Sequence, residues 1–466
     1  MKKNLDEFNQ LTLKLLEDEK NKPVADYIPS EQLFEKLNFS LNDAPTSDKE
    51  FMEVLEELVL STPRTATNAF FNQLFGGRNG KAVLGDLLAV LLNNSMYTYK
   101  AAGPMIGIEK IIIRKVCDMI GWDENSNGTI APGGSMTNYM SMIMGRDHFN
   151  KKIKFEGMNQ KLTVYTSSES HYSIPKNAAF SGIGRDNVRL IPTDNKGRMN
   201  VDQLKSQIED DKKNGFHPVL VNATAGTTVL GAFDNINAIS TVCNDHDVWL
   251  HVDGAYCGAV LFSKKYTSLI NGVENVDSFS FNAHKMLSTP LSCSIIVVKN
   301  QQYLSTSFSN DASYLYQTDQ NEFNLGKISL QCGRRNDALK LWTLWKRVGT
   351  NGLEEIVDKQ FYLADIARNY IRDHKDYTLY SFDDSVSICF NYKNIPAEEI
   401  CTKLYENSEL MVGYGTFHED TFIRLVTINA QNEKEDIINF FKTIENFVDQ
   451  KKHLFEPYLE AKQNNR

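Results

Sequence analysis

The chain has 466 residues, of which 41% are hydrophobic and 23% are charged, and it carries a formal net charge of −9 with a pI near 5.6. This length is too great for one simple core and fits one large domain with a smaller one. The acidic balance offers no basic face to nucleic acid or to an anionic membrane surface. No apolar run reaches the roughly 18 residues of a membrane span. We therefore expect neither kind of partner.

The seven cysteines are scattered, and no two of them have a CxxC spacing. The sequence therefore indicates neither a disulfide framework nor a zinc site, and we expect no metal. The first residues, MKKNLDEFNQ, are charged throughout and lack the apolar core of a signal peptide. These features favour reduced, mostly buried thiols and a cytoplasmic location.

The first 60 residues have leucines at three- and four-residue spacing on otherwise charged segments, which predicts amphipathic helices. Such an arm, here segment 1–65, cannot bury its apolar stripe alone. We expect it to pack on the rest of the protein or on a second subunit. Helical patterns continue over 84–92 and 105–120.

From about residue 160 the pattern changes to short apolar runs separated by helical or loop segments. The predicted strands are Leu162–Thr166, Val188–Ile191, Val219–Asn222, Val248–Val252, Phe279–Asn282 and Ser294–Val298. Continuous apolar strands that alternate with helices predict an α/β domain, segment 66–352, with a mostly parallel sheet covered on both faces. Ligands of such sheets lie at the carboxyl ends of the strands.

A smaller α+β domain, segment 353–466, is predicted after this sheet. Its pattern gives a long helix near 353–374, a strand at Ser385–Tyr392 and a helix near 396–408. A further strand at Thr421–Thr427 and a helix from 433 onward complete it.

Lys285 lies in the apolar run Phe279–Leu287, directly after a histidine. Most lysines at strand ends are solvated and do nothing further. A lysine in a partly dry pocket instead has a lowered pKa and can form a Schiff base with a carbonyl compound. The run alone leaves both readings open.

Three other segments supply what a Schiff-base cofactor needs. Ala131–Asn138 places glycines before a helix, where backbone N–H groups can bind a phosphate, although an ordinary helix cap has the same pattern. Asp253 ends an apolar strand and can pair with a positive ring nitrogen, while His171 follows another strand and can stack on a flat ring. No GxGxxG or P-loop lysine is present, which disfavours a dinucleotide or nucleoside triphosphate. Together these parts indicate pyridoxal 5′-phosphate.

Six short segments of the chain form a specific combination. They are Pro132-Gly-Gly-Ser, Ser170-His-Tyr-Ser-Ile, Asn222-Ala-Thr-Ala-Gly-Thr-Thr, His251-Val-Asp, Asn282-Ala-His-Lys and Gln331-Cys-Gly-Arg-Arg. In these segments the chain resembles the group II pyridoxal-phosphate amino-acid decarboxylases, in particular the glutamate and cysteine sulfinate decarboxylase branch, and the similarity runs from about Phe70 to Asp436. The resemblance implies fold type I, which is the aspartate aminotransferase-like fold. It also implies a homodimer with active sites at the subunit interface.

The resemblance implies a role for each matching position. Lys285 would be the Schiff-base lysine, Asp253 the partner of the ring nitrogen and His171 the stacking ring. Gly134, Ser135, Asn282 and His284 would surround the phosphate, and Thr227 would lie near the ring hydroxyl. Tyr314 would protonate the substrate carbon after CO₂ leaves, and Gln73 and Arg424 would hold the substrate α-carboxylate.

Substrate choice is indicated by Phe75 and Ser95, which are similar to the cysteine sulfinate branch. A phenyl ring would shorten the pocket and favour cysteine sulfinate or aspartate, whereas glutamate, 2,4-diaminobutyrate and an aromatic amino acid stay open as alternatives. The chain departs from the family at Lys100, Gly254, Tyr256 and Ala283. Lys100 either grips a distal acid group or is a surface substitution. A non-catalytic binding protein and a transaminase of the same fold are the other functional readings.

Overall fold

The computed structural model describes residues 1–310 and 320–460, which form two compact units. The larger unit comprises residues 78–362 and 381–386. The smaller unit comprises residues 1–77, 363–380 and the chain from 387 onward. The separation of segments 1–65, 66–352 and 353–466 into independent folding domains stays a prediction.

The N-terminal helices belong to the smaller unit and are α1 (Lys2–Asn21), α2 (Leu33–Lys36) and α3 (Asp48–Ser61). An ion pair joins α1 to α3, with Lys14 Nζ 2.6 Å from a carboxylate oxygen of Glu56. Neither α1 nor α3 contains a buried residue. The apolar stripe predicted for this arm is therefore only partly covered in the single chain.

The larger unit alternates helices with strands in the order that the sequence predicts. Its elements are α4 (Gly80–Leu92), α5 (Tyr99–Ala102), α6 (Pro104–Ile120), β1 (Asn127–Ala131), α7 (Gly134–Phe149), α8 (Ile153–Glu156), β2 (Leu162–Ser167), α9 (Ser173–Phe180), β3 (Val188–Ile191), α10 (Val201–Lys213), β4 (His217–Thr224), α11 (Ile236–His246), β5 (Trp249–Gly254), β6 (Ser278–Asn282), β7 (Ser294–Val298), α12 (Gln302–Phe308) and α13 (Ala338–Asp373), which continues into the smaller unit. Short 3₁₀ turns lie at Ser30–Gln32, Arg185–Asn187, Gly258–Phe262, Thr267–Ile270, Val273–Asn275, Asn321–Phe323 and Leu325–Lys327.

Within the described residues the large sheet has seven strands in the order β1-β7-β6-β5-β4-β2-β3. The pairs β2–β3, β2–β4, β4–β5 and β5–β6 are parallel, and only β7 runs antiparallel to its neighbours. Every residue of β2, β4, β5 and β6 except His217 is buried. The predicted mostly parallel sheet, covered on both faces, is thus confirmed.

Helix α7 packs directly on the centre of this sheet. Gly145 makes the approach possible, because a Cβ atom at this position would lie 2.9 Å from the carbonyl oxygen of Val219 and 3.2 Å from the Cβ of Trp249. Only glycine fits such a close contact between helix and sheet without displacement. The N-terminus of α7 is thereby held at the carboxyl edge of the parallel strands.

The C-terminal part of the smaller unit is an antiparallel sheet covered by helices. Its elements are β8 (Tyr377–Leu379), β9 (Ser387–Tyr392), α14 (Ala397–Glu406), β10 (Gly413–Phe417), β11 (Asp420–Val426), α15 (Lys434–Gln450) and α16 (Lys452–Glu460), with the strand order β10-β11-β9-β8. Helix α15 starts at a capping box, in which the Asp436 carboxylate accepts the Glu433 N–H at 2.7 Å. Phe390, Ile423 and Phe441 lie in the buried core of this unit.

The structure adds elements that the sequence pattern does not show. Strands β1 and β10 are short and contain glycine, and their sequences show neither alternating polarity nor a continuous apolar stretch. Hydrogen-bonded pairing of β1 with β7 and of β10 with β11 defines them instead. Helix α13 begins at Ala338, well before the predicted 353, and its helical geometry is interrupted at Gly349 (φ 70°). No helix in the described part of the chain is long and apolar enough to cross a membrane.

Candidate active site

A cavity of about 230 Å³ lies in the larger unit, at the carboxyl ends of β4, β5 and β6 and at the N-terminus of α7. Its lining brings together residues from segments that are far apart in the sequence. They are Gly134, Ser135, Asn138, His171, Tyr172, Thr224, Gly226, Thr228, Asp253, Ala255, Tyr256, Asn282, His284 and Lys285. Seven of the predicted site residues thus converge on one cavity.

The predicted phosphate end of the cavity is formed by the start of α7 and by the residues after β6. Helix α7 begins at Gly134, so the first backbone N–H groups of the helix and its partial positive charge are available to an anion. A Cβ atom at Gly134 would lie 2.9 Å from the Cβ of Ala255 and 3.3 Å from Nδ2 of Asn282. The missing side chain therefore keeps this end of the cavity open.

His284 lines this end, and the backbone of Cys293 holds its ring. Its Nδ1 lies 2.8 Å from the backbone nitrogen and 3.0 Å from the carbonyl oxygen of Cys293. Burial, reinforced by the charge of Lys285, lowers the pKa of His284 to about 4. A neutral imidazole has one N–H, and when it is on Nε2 this group can donate to a phosphate oxygen.

Asp253 is buried at the end of β5, and hydrogen bonds hold both of its carboxylate oxygens. Oδ1 accepts the N–H of Ala255 at 3.0 Å, and Oδ2 accepts the side-chain amide of Asn138 at 2.7 Å. Both oxygens therefore act as hydrogen-bond acceptors in the cavity wall, and an acceptor is the partner that a protonated ring nitrogen requires.

His171 lies in the cavity wall just after β2. Its Nδ1 accepts the N–H of Ser173 at 3.2 Å, and its ring centre is 4.2 Å from that of Tyr172. Burial is the main cause that lowers the pKa of His171, so the ring is neutral at physiological pH. A neutral flat ring in this position can stack on a planar ligand.

Lys285 is half-buried and lines the same cavity. A tight turn after β6 positions it, in which its N–H donates to the carbonyl of Asn282 and its own carbonyl accepts the N–H of Ser288, both at 3.1 Å. Its Nζ lies 5.9 Å from the centre of the Tyr256 ring. Lys285 thus lies in the cavity wall, and its role as the Schiff-base lysine stays a prediction.

Thr227 and Ser95 were predicted near the cofactor and the substrate, and neither lines this cavity. The Thr227 hydroxyl accepts the N–H of Ala232 at 3.0 Å, and its neighbour Thr228 lines the cavity instead. The Ser95 hydroxyl accepts the N–H of Arg334 at 3.0 Å. Lys100 is exposed on α5 and is not among the lining residues.

The other predicted substrate residues belong to the smaller unit. Arg424 donates from Nη2 to the carbonyl of Asn72 at 2.9 Å, Gln73 is exposed, and the Phe75 ring lies 6.0 Å from that of Phe70. The predicted proton donor, Tyr314, lies outside the described residues.

Several lining residues were not singled out from the sequence. Asn138 is the most informative, because it lies one helical turn after the glycines of α7 and its amide holds Asp253. Its position four residues after Gly134 was a usable signal, since that spacing returns to the same helix face. In the described ranges, 1–310 and 320–460, no group of three or more His, Cys, Asp or Glu side chains could hold a metal ion.

The seven cysteines, all in described parts of the chain, are free thiols. Six are buried, and Cys332 alone is exposed. The prediction of mostly buried thiols is confirmed.

Comparison with known proteins gives matches over most of the chain. The pyridoxal-dependent decarboxylase conserved domain matches residues 30–393. Acidic amino acid decarboxylase GADL1 of Homo sapiens is 34% identical over 441 residues, which is 90% of this chain and 84% of that protein. Cysteine sulfinic acid decarboxylase of Homo sapiens is 36% identical over 373 residues, 79% of this chain and 76% of that protein. The crystal structure of mouse CSAD superposes with a TM-score of 0.89 at 31% identity, covering 96% of this chain and 99% of that one.

Proposed function

The chain belongs to the pyridoxal-dependent decarboxylase family and is a pyridoxal-phosphate-dependent amino-acid decarboxylase, and from this premise we propose that it removes the α-carboxylate of a small acidic L-amino acid. Cysteine sulfinate, which would give hypotaurine, and aspartate, which would give β-alanine, are the preferred substrates. The names of its relatives, acidic amino acid decarboxylase and cysteine sulfinic acid decarboxylase, support this choice. Glutamate is the next candidate.

The residues of the cavity fit the cofactor. Because Gly134 has no side chain, there is room for a phosphate at the start of α7, and Ser135 and His284 line the same end. The amide of Asn282 also lines this end, and its buried Oδ1 has no hydrogen-bond partner among the described residues, as expected of a group that completes its hydrogen bonds with a ligand or with water. Asp253 would hold the ring nitrogen proton and His171 would stack on the ring.

The work of the protein is to bind, orient and protonate. When bound, pyridoxal phosphate accepts the electron pair that is left on the substrate carbon when CO₂ departs. Lys285 would hold the cofactor covalently until the substrate amine replaces it. Gln73 and Arg424 would fix the substrate α-carboxylate, and Tyr314 would deliver the proton that takes the place of CO₂. The roles of these last three residues rest on the family resemblance.

The observation that carries the proposal is the convergence of Lys285, Asp253 and the N-terminus of α7 on one cavity. The test is a Lys285→Ala variant compared with the unaltered protein. We expect the unaltered protein to bind pyridoxal phosphate with visible absorbance and to release CO₂, and the variant to lose both. CO₂ and amine products should be assayed with cysteine sulfinate, aspartate, glutamate, cysteate and 2,4-diaminobutyrate. Binding of the cofactor with no amine product from any amino acid would favour a non-catalytic binding protein.

We also propose that the protein is a homodimer. Helix α4 exposes leucines at the spacing of one helical stripe, with 48% of Leu84, 42% of Leu88 and 56% of Leu91 accessible in the single chain. Burying a leucine contributes roughly 1.5–3 kcal/mol, so covering this stripe would stabilise an association substantially. A Leu88→Glu, Leu91→Glu double variant should sediment as a monomer. An unaltered protein that is itself monomeric at micromolar concentration would end this part of the proposal. A cytoplasmic location likewise stays a prediction.

A further inference from the structure

A line of hydrogen bonds leads from Asp253 into the buried space between α7 and the strands β5 and β6. The Asn138 amide donates to Asp253 at 2.7 Å, and its Oδ1 lies 3.2 Å from Nε2 of His251. Nδ1 of His251 lies 2.8 Å from the hydroxyl of Ser278, which accepts the indole N–H of Trp249 at 3.0 Å. All five side chains are at least 95% buried.

The alternation of side chains along β5 explains why this line exists. Trp249, His251 and Asp253 occupy every second position of the strand and therefore point to the same face of the sheet. Helix α7 covers this face and contributes Asn138. The histidine two residues before the aspartate is thus placed behind it by strand geometry.

When Asp253 is a carboxylate, the hydrogen bonds in the line have one consistent set of directions. An ionised carboxylate only accepts, so the Asn138 atom that faces it is Nδ2, and Oδ1 faces His251. His251 must then carry its proton on Nε2 and donate to Oδ1. Its Nδ1 accepts the hydroxyl proton of Ser278, whose oxygen in turn accepts from Trp249. The second Nδ2 proton of Asn138 goes to the hydroxyl of Ser173 at 3.1 Å.

The imidazole in this line is neutral. Burial lowers the pKa of His251 to about 4, against an opposing effect of the Asp253 charge. One ring nitrogen therefore has a proton and the other does not, and the neighbours decide which. If Nε2 lost its proton, its lone pair would face Oδ1 of Asn138. The amide could then turn over and present its oxygen to the carboxylate.

We propose that His251 is a positioning residue that fixes the Asn138 amide as a donor to Asp253 and so orients this carboxylate as the acceptor for the cofactor ring nitrogen. The inference rests on the proposed role of Asp253. It adds that the buried His251 has its proton on Nε2 and that the hydroxyl of Ser278 selects this tautomer. Loss of the His251 donor should lower the protonation of the ring nitrogen and weaken cofactor binding together.

The test uses the full-length protein loaded with pyridoxal phosphate that carries ¹⁵N in its ring. The ¹⁵N chemical shift reports whether the ring nitrogen is protonated, and equilibrium dialysis gives the cofactor dissociation constant. The variants are His251→Phe, which keeps an aromatic ring without a donor, and His251→Gln, whose amide can still donate. The matched control is Ser141→Ala, because this buried hydroxyl on α7 touches Ser278 at 3.2 Å but does not hold His251 or Asn138.

In the unaltered protein and in Ser141→Ala the ring nitrogen should give the pyridinium shift. In His251→Phe the resonance should move towards neutral pyridine, and the dissociation constant should rise about fivefold to tenfold, the effect of one lost buried hydrogen bond. His251→Gln should lie closer to the unaltered protein. If His251→Phe does not fold, Ser278→Ala decides, since it removes the donor to Nδ1 and should move the resonance in the same direction.

A pyridinium shift and an unchanged dissociation constant in His251→Phe would overturn the inference, as would equal effects of the Phe and Gln variants. Melting temperatures of the cofactor-free proteins separate positioning from packing, because a purely structural role would lower them without moving the ¹⁵N resonance. Failure of the proposed function looks different. In that case the unaltered protein itself would show no bound-cofactor resonance.

Discussion

A single methyl group added at Gly134 should close the phosphate end of the cavity. In Gly134→Ala the new Cβ would lie 2.9 Å from the Cβ of Ala255 and 3.3 Å from Nδ2 of Asn282. Carbon atoms pack at about 3.5–4.0 Å, so either the first turn of α7 or the segment after β5 must move by more than about half an ångström. Both segments carry groups that line the cavity.

The cost follows from the geometry of the contact. Overpacking of a close-packed site typically costs about 1–3 kcal/mol, and Ala255 has no flexible side chain that could yield. The strain is relieved by displacing the backbone N–H groups that would face the phosphate. We therefore expect the cofactor dissociation constant to rise about tenfold to hundredfold, at about 1.4 kcal/mol for each factor of ten.

Gly133→Ala is the matched control, because a Cβ at Gly133 would meet no atom of the described residues within 4 Å. Titration of cofactor-free protein with pyridoxal phosphate, followed by visible absorbance, gives the two dissociation constants. Gly133→Ala should stay within about threefold of the unaltered protein, less than 1 kcal/mol. Equal weakening in both variants, or unchanged binding in Gly134→Ala, would refute the assignment of the phosphate to the start of α7.

Three further predictions concern stability and product formation. In Glu109→Gln the buried Arg334 loses the carboxylate that lies 2.7 Å from its Nη1. The free energy of unfolding, measured in urea, should therefore fall by about 3–5 kcal/mol, and a fall of less than about 1 kcal/mol would contradict this. His251 has a pKa of about 4 when folded and an ordinary value of 6.5. The unfolded chain therefore binds a proton that the folded chain does not, and His251 destabilises the fold increasingly as pH falls from 6.5 to 4. The melting temperature of His251→Phe should depend less on pH across this range than that of the unaltered protein. Equal pH dependence of the two melting temperatures would count against a neutral buried ring. Tyr314→Phe should lower amine formation by about a hundredfold and shift the products towards aldehyde. Aldehyde formation consumes O₂, which an oxygen electrode measures. An unchanged ratio of amine to aldehyde would show that Tyr314 is not the proton donor.

The sequence by itself determined the larger architecture and the chemistry of the cavity. Continuous apolar strands such as Val219–Asn222 can only be buried on both faces, which requires a sheet covered by helices. Lys285, Asp253 and His171 each follow such a strand, and the carboxyl ends of neighbouring parallel strands meet at one edge. The convergence of these residues on one cavity was therefore predictable without coordinates.

Only the tertiary structure decided which neighbours support these residues. Strand β1 has a weak pattern of its own and exists because β7 pairs with it. The contact between Asn138 and Asp253 joins residues 115 positions apart, and it depends on how closely α7 lies on the sheet. Thr227 and Thr228 are adjacent in sequence, and the turn around Ala232 determines that only Thr228 faces the cavity. Periodicity fixes the face on which a side chain lies, whereas the distances across packed elements and the path of irregular turns arise only when the whole chain is folded.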